Sequence, residues 1–185
     1  MRKITKKYSS HSGFKNYLED ESGLSFMETV VLFPVLLSML MAVFDLGQGI
    51  VINQKTVAAS QVIADLITRN KVVNTDLIND VVNAGELAFA PYPSDTFGYD
   101  IASVEFDEDG DPVVLWRVTE NMDPDDSPID STIGLGAEGE GVVVVSVVYT
   151  YTPFFSNFVV DEFRMNELAF LRGRKSATVP CTDCS

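Results

Sequence analysis

The stretch "ESGLSFMETVVLFPVLLSML", residues 21–40, decides how this chain is organised. It opens an apolar run over residues 24–44 in which Glu28 is the single charged side chain and Pro34 the single proline. As a helix rising about 1.5 Å per residue, the run matches the hydrocarbon core of a bilayer in length. A carboxylate there costs about 3 kcal/mol on insertion scales, so Glu28 is a candidate functional residue. The alternative is an ordinary anchor whose Glu28 lies near enough to one end to reach water.

The charge on either side of the run predicts its orientation. The chain has 185 residues and a net charge of −14, yet basic residues outnumber acids ahead of the run. The five basic residues there are Arg2, Lys3, Lys6, Lys7 and Lys15. This excess predicts a cytoplasmic N-terminus and a C-terminal domain outside the membrane. The acidic remainder repels phosphate backbones, so we expect no nucleic acid partner.

The run is not typical of a cleaved secretory signal. Such signals have an apolar stretch of about 7–15 residues followed by a small-residue A-x-A site. Here the apolar stretch is longer, and the segment after it, "FDLGQGIVINQ", has no such site. We therefore expect a membrane segment that is retained.

Two helices are predicted in the first half of the chain. The helical pattern continues beyond Asp45 to about residue 69, with Val51, Ala58, Val62 and Leu66 on its apolar face. A second helix is predicted from residue 75 to about residue 90, with Thr75 as its N-cap. The segment "PYPSD" that follows is expected to stop it.

The second half of the chain is predicted to form strands. "YDIASVEF" and "PVVLWRVTE" flank the turn-forming "DEDGD" and predict a hairpin, and "VVVVSVVYTY" is typical of a strand covered on both faces. "MDPDDSPIDSTIGLGAEGEG", residues 122–141, predicts an exposed loop, and "ELAFLRGRKSATVP" a closing turn and strand. The predicted fold is therefore α+β: a long N-terminal transmembrane helix and a second helix packed on a small antiparallel sheet. Residues 70–185 would form the domain outside the membrane.

Catalytic and metal chemistry find little support in the sequence. His11 is the single histidine and precedes the run, so the outer domain has no imidazole for a Ser-His-Asp or Cys-His mechanism. The acids of residues 107–111 suggest calcium, but Gly110 comes fourth where an EF-hand loop needs a sixth-position glycine, which favours a hairpin turn. Trp116 is expected in the core rather than on a binding platform. We predict no enzyme, no catalytic residue, no cofactor and no metal site.

The two cysteines, Cys181 and Cys184, lie in "VPCTDCS". Outside the membrane the environment is oxidising, so a small disulfide loop is the leading interpretation. A zinc site is the weaker alternative because this pair supplies two ligands and no second pair exists. A thioredoxin-like redox motif is also weak, since no βαβ unit is predicted around the pair.

The segment "SGLSFMETVVLFPVLL" resembles the N-terminus of type IV pilin-like proteins, and more closely that of TadE/TadF-like pseudopilins of tight-adherence (Flp) pilus systems. In that family a basic leader ends in glycine, a glutamate lies five residues beyond the cut, and an apolar helix follows. Gly23, Leu24 and Glu28 match these positions. The segments "VVLWRVTEN", "VVVVSVVYTYTPFF" and "RGRKSATVPC" also resemble ones that recur in TadE-like proteins. One departure is that acids, rather than basic residues, immediately precede Gly23.

The resemblance implies a cytoplasmic leader over residues 1–23, which a prepilin peptidase removes between Gly23 and Leu24. The new ammonium of Leu24 would pair with Glu28 of a neighbouring subunit. Partners would be other pilins or pseudopilins and the inner-membrane assembly platform, and the mature protein would lie in the cytoplasmic (inner) membrane or in the pilus. Two alternatives stay open: a membrane-anchored envelope domain that binds a ligand or partner, and a pseudopilin of a type II secretion machine.

Overall fold

The computed structural model describes residues 22–155 and 162–184, with the backbone alone for residues 22–25. Its fold is α+β, as predicted. The helices are α1 (Ser22–Thr68), α2 (Thr75–Leu87) and the short α3 (Ser127–Asp130). The strands are β1 (Gly98–Phe106), β2 (Pro112–Glu120), β3 (Gly141–Tyr151) and β4 (Phe163–Arg172). They form an antiparallel sheet in the order β2-β1-β3-β4.

The chain divides into two compact units, Met1–Phe44 and Asp45–Ser185. Helix α1 is continuous through this boundary and ends at Thr68, close to the predicted residue 69. The division therefore assigns the C-terminal part of α1 to the same unit as the sheet, whereas the sequence prediction began the outer domain at residue 70.

The buried face of α1 beyond Asp45 differs from the predicted one. Val51 and Val62 are exposed. The buried side chains lie at other positions: Ile52, Thr56, Ala59, Ser60, Ile63, Ala64, Ile67 and Thr68. The hydroxyl of Thr56 donates to the Ile52 carbonyl at 3.0 Å, and Ser60 donates within its own helix in the same way. Because these hydroxyls are satisfied locally, polar residues share the buried face, and a pattern of apolar residues alone misplaces it.

Helix α2 begins one residue earlier than its predicted cap implied. Asn74, not Thr75, is the N-cap, and its side-chain oxygen accepts a hydrogen bond from the backbone N–H of Leu77 at 2.9 Å. The helix ends at Leu87, before the predicted residue 90. The three residues that follow form turns, which direct Phe89 into the core with no exposed surface.

The predicted β1–β2 hairpin is confirmed, with residues 107–111 as its turn. The Asp107 carboxylate accepts hydrogen bonds from the backbone N–H groups of Asp109 and Asp111 at 3.0 and 2.9 Å. Gly110 supports the turn with a φ of 82°, a value that favours glycine. The carboxylate that suggested calcium therefore closes the turn.

The sheet buries both faces over part of its area. On one face, residues of β1 and β3 such as Ile101 and Val145 form a core with α1 and α2, and Trp116 lies in this core as expected. On the other, Val104 and Phe106 cluster with Ile129 of α3. The segment 122–141, predicted as an exposed loop, is exposed over most of its length, but Pro128, Ile129 and Thr132 are buried because the apolar second face needs a cover. β3, between β1 and β4, is buried along nearly its whole length, as predicted.

Candidate processing and assembly segment

The three residues of the predicted processing and assembly motif lie in the first turns of α1. Gly23 and Leu24 are the second and third residues of the helix, and Glu28 lies four residues beyond Leu24. Positions four apart share a face of an α-helix. The helix therefore places the bond that a peptidase would cut and the glutamate about one turn apart along one side.

Apolar side chains surround Glu28 on the described part of this segment. Phe26 is 69% exposed and Phe33 is 62% exposed, and the pattern continues through every turn as far as Leu40. The exposed large side chains from Phe26 to Leu40 are Phe26, Met27, Val30, Val31, Leu32, Phe33, Val35, Leu36, Leu37, Met39 and Leu40. An apolar surface that covers all sides of a helix is not stable in water. The helix is long and apolar enough to cross a membrane, as an anchor or a signal sequence does.

Pro34 lies inside α1 without ending it. A proline has no N–H to donate to the carbonyl one turn earlier, which leaves the Val30 carbonyl without that helical bond. Close by, the hydroxyl of Ser38 donates to the Val35 carbonyl at 2.8 Å. Transmembrane helices tolerate such a proline where neighbouring groups satisfy the freed backbone.

A buried carboxylate directly after the apolar run was not singled out from the sequence. Asp45 is only 4% exposed. Its side chain accepts hydrogen bonds from the backbone N–H of Phe154 at 3.1 Å and of Phe155 at 3.0 Å. The Tyr151 hydroxyl lies 3.4 Å from the Asp45 carbonyl oxygen, and burial, with the Asp45 charge second, raises the pKa of this tyrosine. Asp45 thus ties the segment that follows β3 to the start of the domain's helix.

Gly47 and Gly49, which follow Asp45 in α1, have different surroundings. A side-chain carbon at Gly49 would lie 3.2 Å from the Phe163 ring, so this glycine permits close packing of β4 against the helix. At Gly47 such a carbon would meet nothing within 4 Å. Gly49 has a packing role and Gly47 has none within the described residues.

A largely buried ion pair joins β1 and β2 on the sheet face away from α1. The Arg117 guanidinium donates two hydrogen bonds to the Asp100 carboxylate, at 2.5 and 2.8 Å, and contacts Asp126 at 2.6 Å. Burial by itself raises the pKa of Asp100, but hydrogen bonds from Arg117, Thr119 and the Asp125 backbone outweigh it and lower the pKa below its usual value. Asp100 in turn raises the pKa of Arg117. These contacts tie the chain leading to α3 onto the sheet.

A polar groove of about 610 Å³ opens on the sheet face that carries Val148 and Thr150. Its lining includes the acids Asp95 and Asp123 and the base Arg164. With charges of both signs on its walls, the groove does not select a class of charged ligand.

The cysteines close a small loop beside the start of α2. The sulfur atoms of Cys181 and Cys184 are 1.99 Å apart, as in a disulfide. Val73 forms backbone hydrogen bonds with Pro180 and Thr182, each of 3.0 Å, and the Asp183 carboxylate accepts the N–H of Thr75 at 2.8 Å. Cys181, Asp183 and Cys184 are close enough to surround a metal, but sulfur atoms bonded to each other are not thiolate ligands.

No family model, no curated protein and no solved structure matches the chain. The order of residues at the head of α1 and the chemistry of the surfaces around it are therefore the features that bear on function.

Proposed function

We propose that this chain is a minor pseudopilin that takes part in assembling a tight-adherence (Flp-type) pilus at the cytoplasmic membrane. The observation that carries the proposal is the order Gly23, Leu24, Glu28 at the head of a helix whose next turns are apolar and exposed on all sides. A carboxylate inside the apolar run is unfavourable for a plain membrane anchor. In an assembly of such helices, a neighbouring subunit can supply the opposite charge.

Processing would begin at the Gly23–Leu24 bond in the first helical turn. The first N–H groups of a helix have no intrahelical partner, and helix ends open at little cost. A glycine adds to this ease because its extended conformations are not restricted by a side chain. Hydrolysis of this bond would leave an ammonium on Leu24 four residues from Glu28.

The ammonium and the carboxylate would then pair between subunits. Two unit charges 4 Å apart attract by about 4 kcal/mol at an effective dielectric of 20, against about 1 kcal/mol in water. Desolvation of both groups offsets much of this attraction, so the pair selects the correct neighbour and register more than it adds net affinity. An unpaired charge in the same place would be strongly unfavourable, which excludes subunits that lack the partner.

The first test is the N-terminus of the mature protein. N-terminal sequencing and intact mass of membrane-extracted protein should show a chain that starts at Leu24, and Gly23→Leu should leave the precursor uncut because the site accepts a small residue. Gly47→Leu is a matched control at an open helical position and should be cut normally. A mature chain that retains Met1 would support the alternative of a plain membrane-anchored domain, and a start beyond Phe44 would indicate a signal sequence.

The second test concerns assembly. Glu28→Gln should insert and be cut, yet fail to co-purify with sheared pili or with the assembly platform. Glu21→Gln is the matched control, because that acid leaves with the leader and should not affect the assembled subunit. Equal recovery of the Glu28→Gln and unmodified proteins would show that Glu28 is not an assembly contact. Recovery with secretion-machine components instead of pilus components would favour a type II secretion pseudopilin.

A further inference from the structure

The chain between β3 and β4 begins beside Asp45, the first residue after the apolar run. Asp45 follows Phe44 directly, and consecutive Cα atoms are 3.8 Å apart. The Asp45 carboxylate holds the backbone N–H groups of Phe154 and Phe155 within 3.1 Å. If residues 24–44 span the membrane, the backbone of this pair lies at the level of the lipid headgroups.

The side chains of this pair are apolar, and one of them has little cover within the chain. Phe154 is 79% exposed, the largest exposure of any described large apolar side chain, and Phe155 packs edge-on against it with ring centres 4.8 Å apart. An aromatic ring buries a large apolar area when it leaves water, so exposure of this degree indicates a surface made for contact.

The charge pattern indicates what kind of surface covers it. The chain carries a net charge of −14, yet residues 152–160 contain no charged residue. An acidic domain is repelled by an anionic lipid surface, and an uncharged aromatic segment is the part that can approach it. The partly exposed Tyr92 lies at the same end of the domain, where it contacts Gln48 of α1. Aromatic residues are typical of the membrane–water interface.

We propose that Phe154 and Phe155 insert into the lipid interface of the membrane that the apolar run crosses, and hold the domain against it at a second point. The proposal rests on the membrane anchor of the proposed function. Asp45 is the positioning residue, because its carboxylate accepts hydrogen bonds from the backbone N–H groups of the pair. Without this acceptor, those N–H groups would have to remain hydrated at the lipid interface. A domain fixed at two points has less rotational freedom about its anchor, and this presents the sheet in a constant direction to incoming subunits.

The test uses a fluorescent probe at single introduced cysteines. The full chain is reconstituted into vesicles of phosphatidylcholine and phosphatidylglycerol, after Phe154→Cys, Leu36→Cys or Val113→Cys has been labelled with an environment-sensitive maleimide dye. Native cysteines do not interfere while the disulfide is intact. Val113 is a matched control because it is 51% exposed and lies at the opposite end of the sheet from Tyr151. The fluorescence of Trp116, recorded before labelling, checks that each variant is folded.

Lipids that carry a nitroxide near the headgroup should quench the probe at residue 154 several-fold more than the probe at residue 113. Nitroxides deep in the acyl chain should quench the probe at residue 36 most. If the probe at residue 36 is quenched and the probe at residue 154 is not, the anchor stands and this inference is overturned. If neither is quenched, the membrane anchor itself is wrong. A probe at residue 154 that responds to protein-to-lipid ratio rather than to nitroxide would show that a second copy of the chain, not lipid, covers the aromatic pair.

Discussion

Both parts of α1 carry large apolar side chains, and the two parts differ in what surrounds those side chains. Before Phe44, large side chains such as Phe33 and Leu36 are exposed to 62% each. Beyond Asp45, Ile52, Ile63 and Ile67 are 0–1% exposed because they pack on α2 and the sheet. The apolar side chains of the first part therefore need a packing partner outside the chain, whereas those of the second part are buried by the chain itself. The contrast teaches that apolarity alone does not identify a core; the partner does.

The largest difference between the two parts should appear on truncation of an isoleucine or leucine. Ile63→Ala removes a fully buried side chain and should lower the free energy of unfolding by about 2–5 kcal/mol. Leu36→Ala, in the exposed part, should leave domain stability unchanged. Denaturant titration of the full chain in detergent, followed by fluorescence of the single Trp116, measures this, because that indole is 5% exposed in the core. Equal effects of the two substitutions would contradict the division of the helix.

Removal of the charge of Asp100 from its pair with Arg117 should have the second largest effect on the free energy of unfolding. Asp100→Asn removes the buried charged partner of a guanidinium that is 19% exposed, and the expected loss is about 3 kcal/mol. Asp126→Asn removes the partner that is 79% exposed and should cost well under 1 kcal/mol. Trp116 fluorescence again reports unfolding. A larger loss of stability from Asp126→Asn than from Asp100→Asn would mean that the exposed contact between Arg117 and Asp126 stabilises the segment before α3.

The same pair predicts an acid dependence of stability. Because folding lowers the pKa of Asp100, its contribution is complete above the unfolded-state pKa of about 4 and is lost as the pH falls below that toward the lower folded-state pKa. Unfolding titrations of the unmodified and Asp100→Asn proteins should therefore differ most near neutral pH and converge in acid. A constant difference down to acid pH would show that Asp100 stabilises the domain by something other than its charge.

Substitution by alanine should change the free energy of unfolding in opposite directions at two helical glycines. At Gly85 a side-chain carbon would lie 2.7 Å from the buried Ile63 side chain, so Gly85→Ala should destabilise the domain by about 1–3 kcal/mol. At Gly47 the space is open, so Gly47→Ala should stabilise the helix by about 0.5–1 kcal/mol. Stabilisation by both substitutions would show that α1 and α2 have room to separate.

The smallest effect is expected at the cysteines. Replacement of Cys181 and Cys184 by serine removes a loop closed by residues three apart, and the loss should stay below about 2 kcal/mol since so short a loop restricts little unfolded-chain entropy. In the unmodified protein neither thiol should react with maleimide before a reductant is added. Full labelling without reductant would show that the disulfide is absent, and a larger loss would mean that it supports the contact between Val73 and the C-terminal segment.

The sequence by itself determined the features that depend on a short window. The apolar run around Glu28, the hairpin around residues 107–111 and the buried strand β3 were each predictable, because composition and period within 10 to 20 residues determine them. The same holds for the order Gly23, Leu24, Glu28, which is a property of the chain before it folds. The α+β class follows from the sum of these segments.

The tertiary structure alone decided which polar groups became buried and which face of α1 packs. Thr56 and Ser60 lie on the packed face and are buried there, and no periodicity of apolar residues contains that information. Asp45 acquires its hydrogen-bond partner 109 residues further along the chain. The cover of the second sheet face by Ile129 likewise depends on where a polar loop returns. Such contacts depend on distances in space that separate segments acquire only when they fold together, and so a window along the sequence does not predict them.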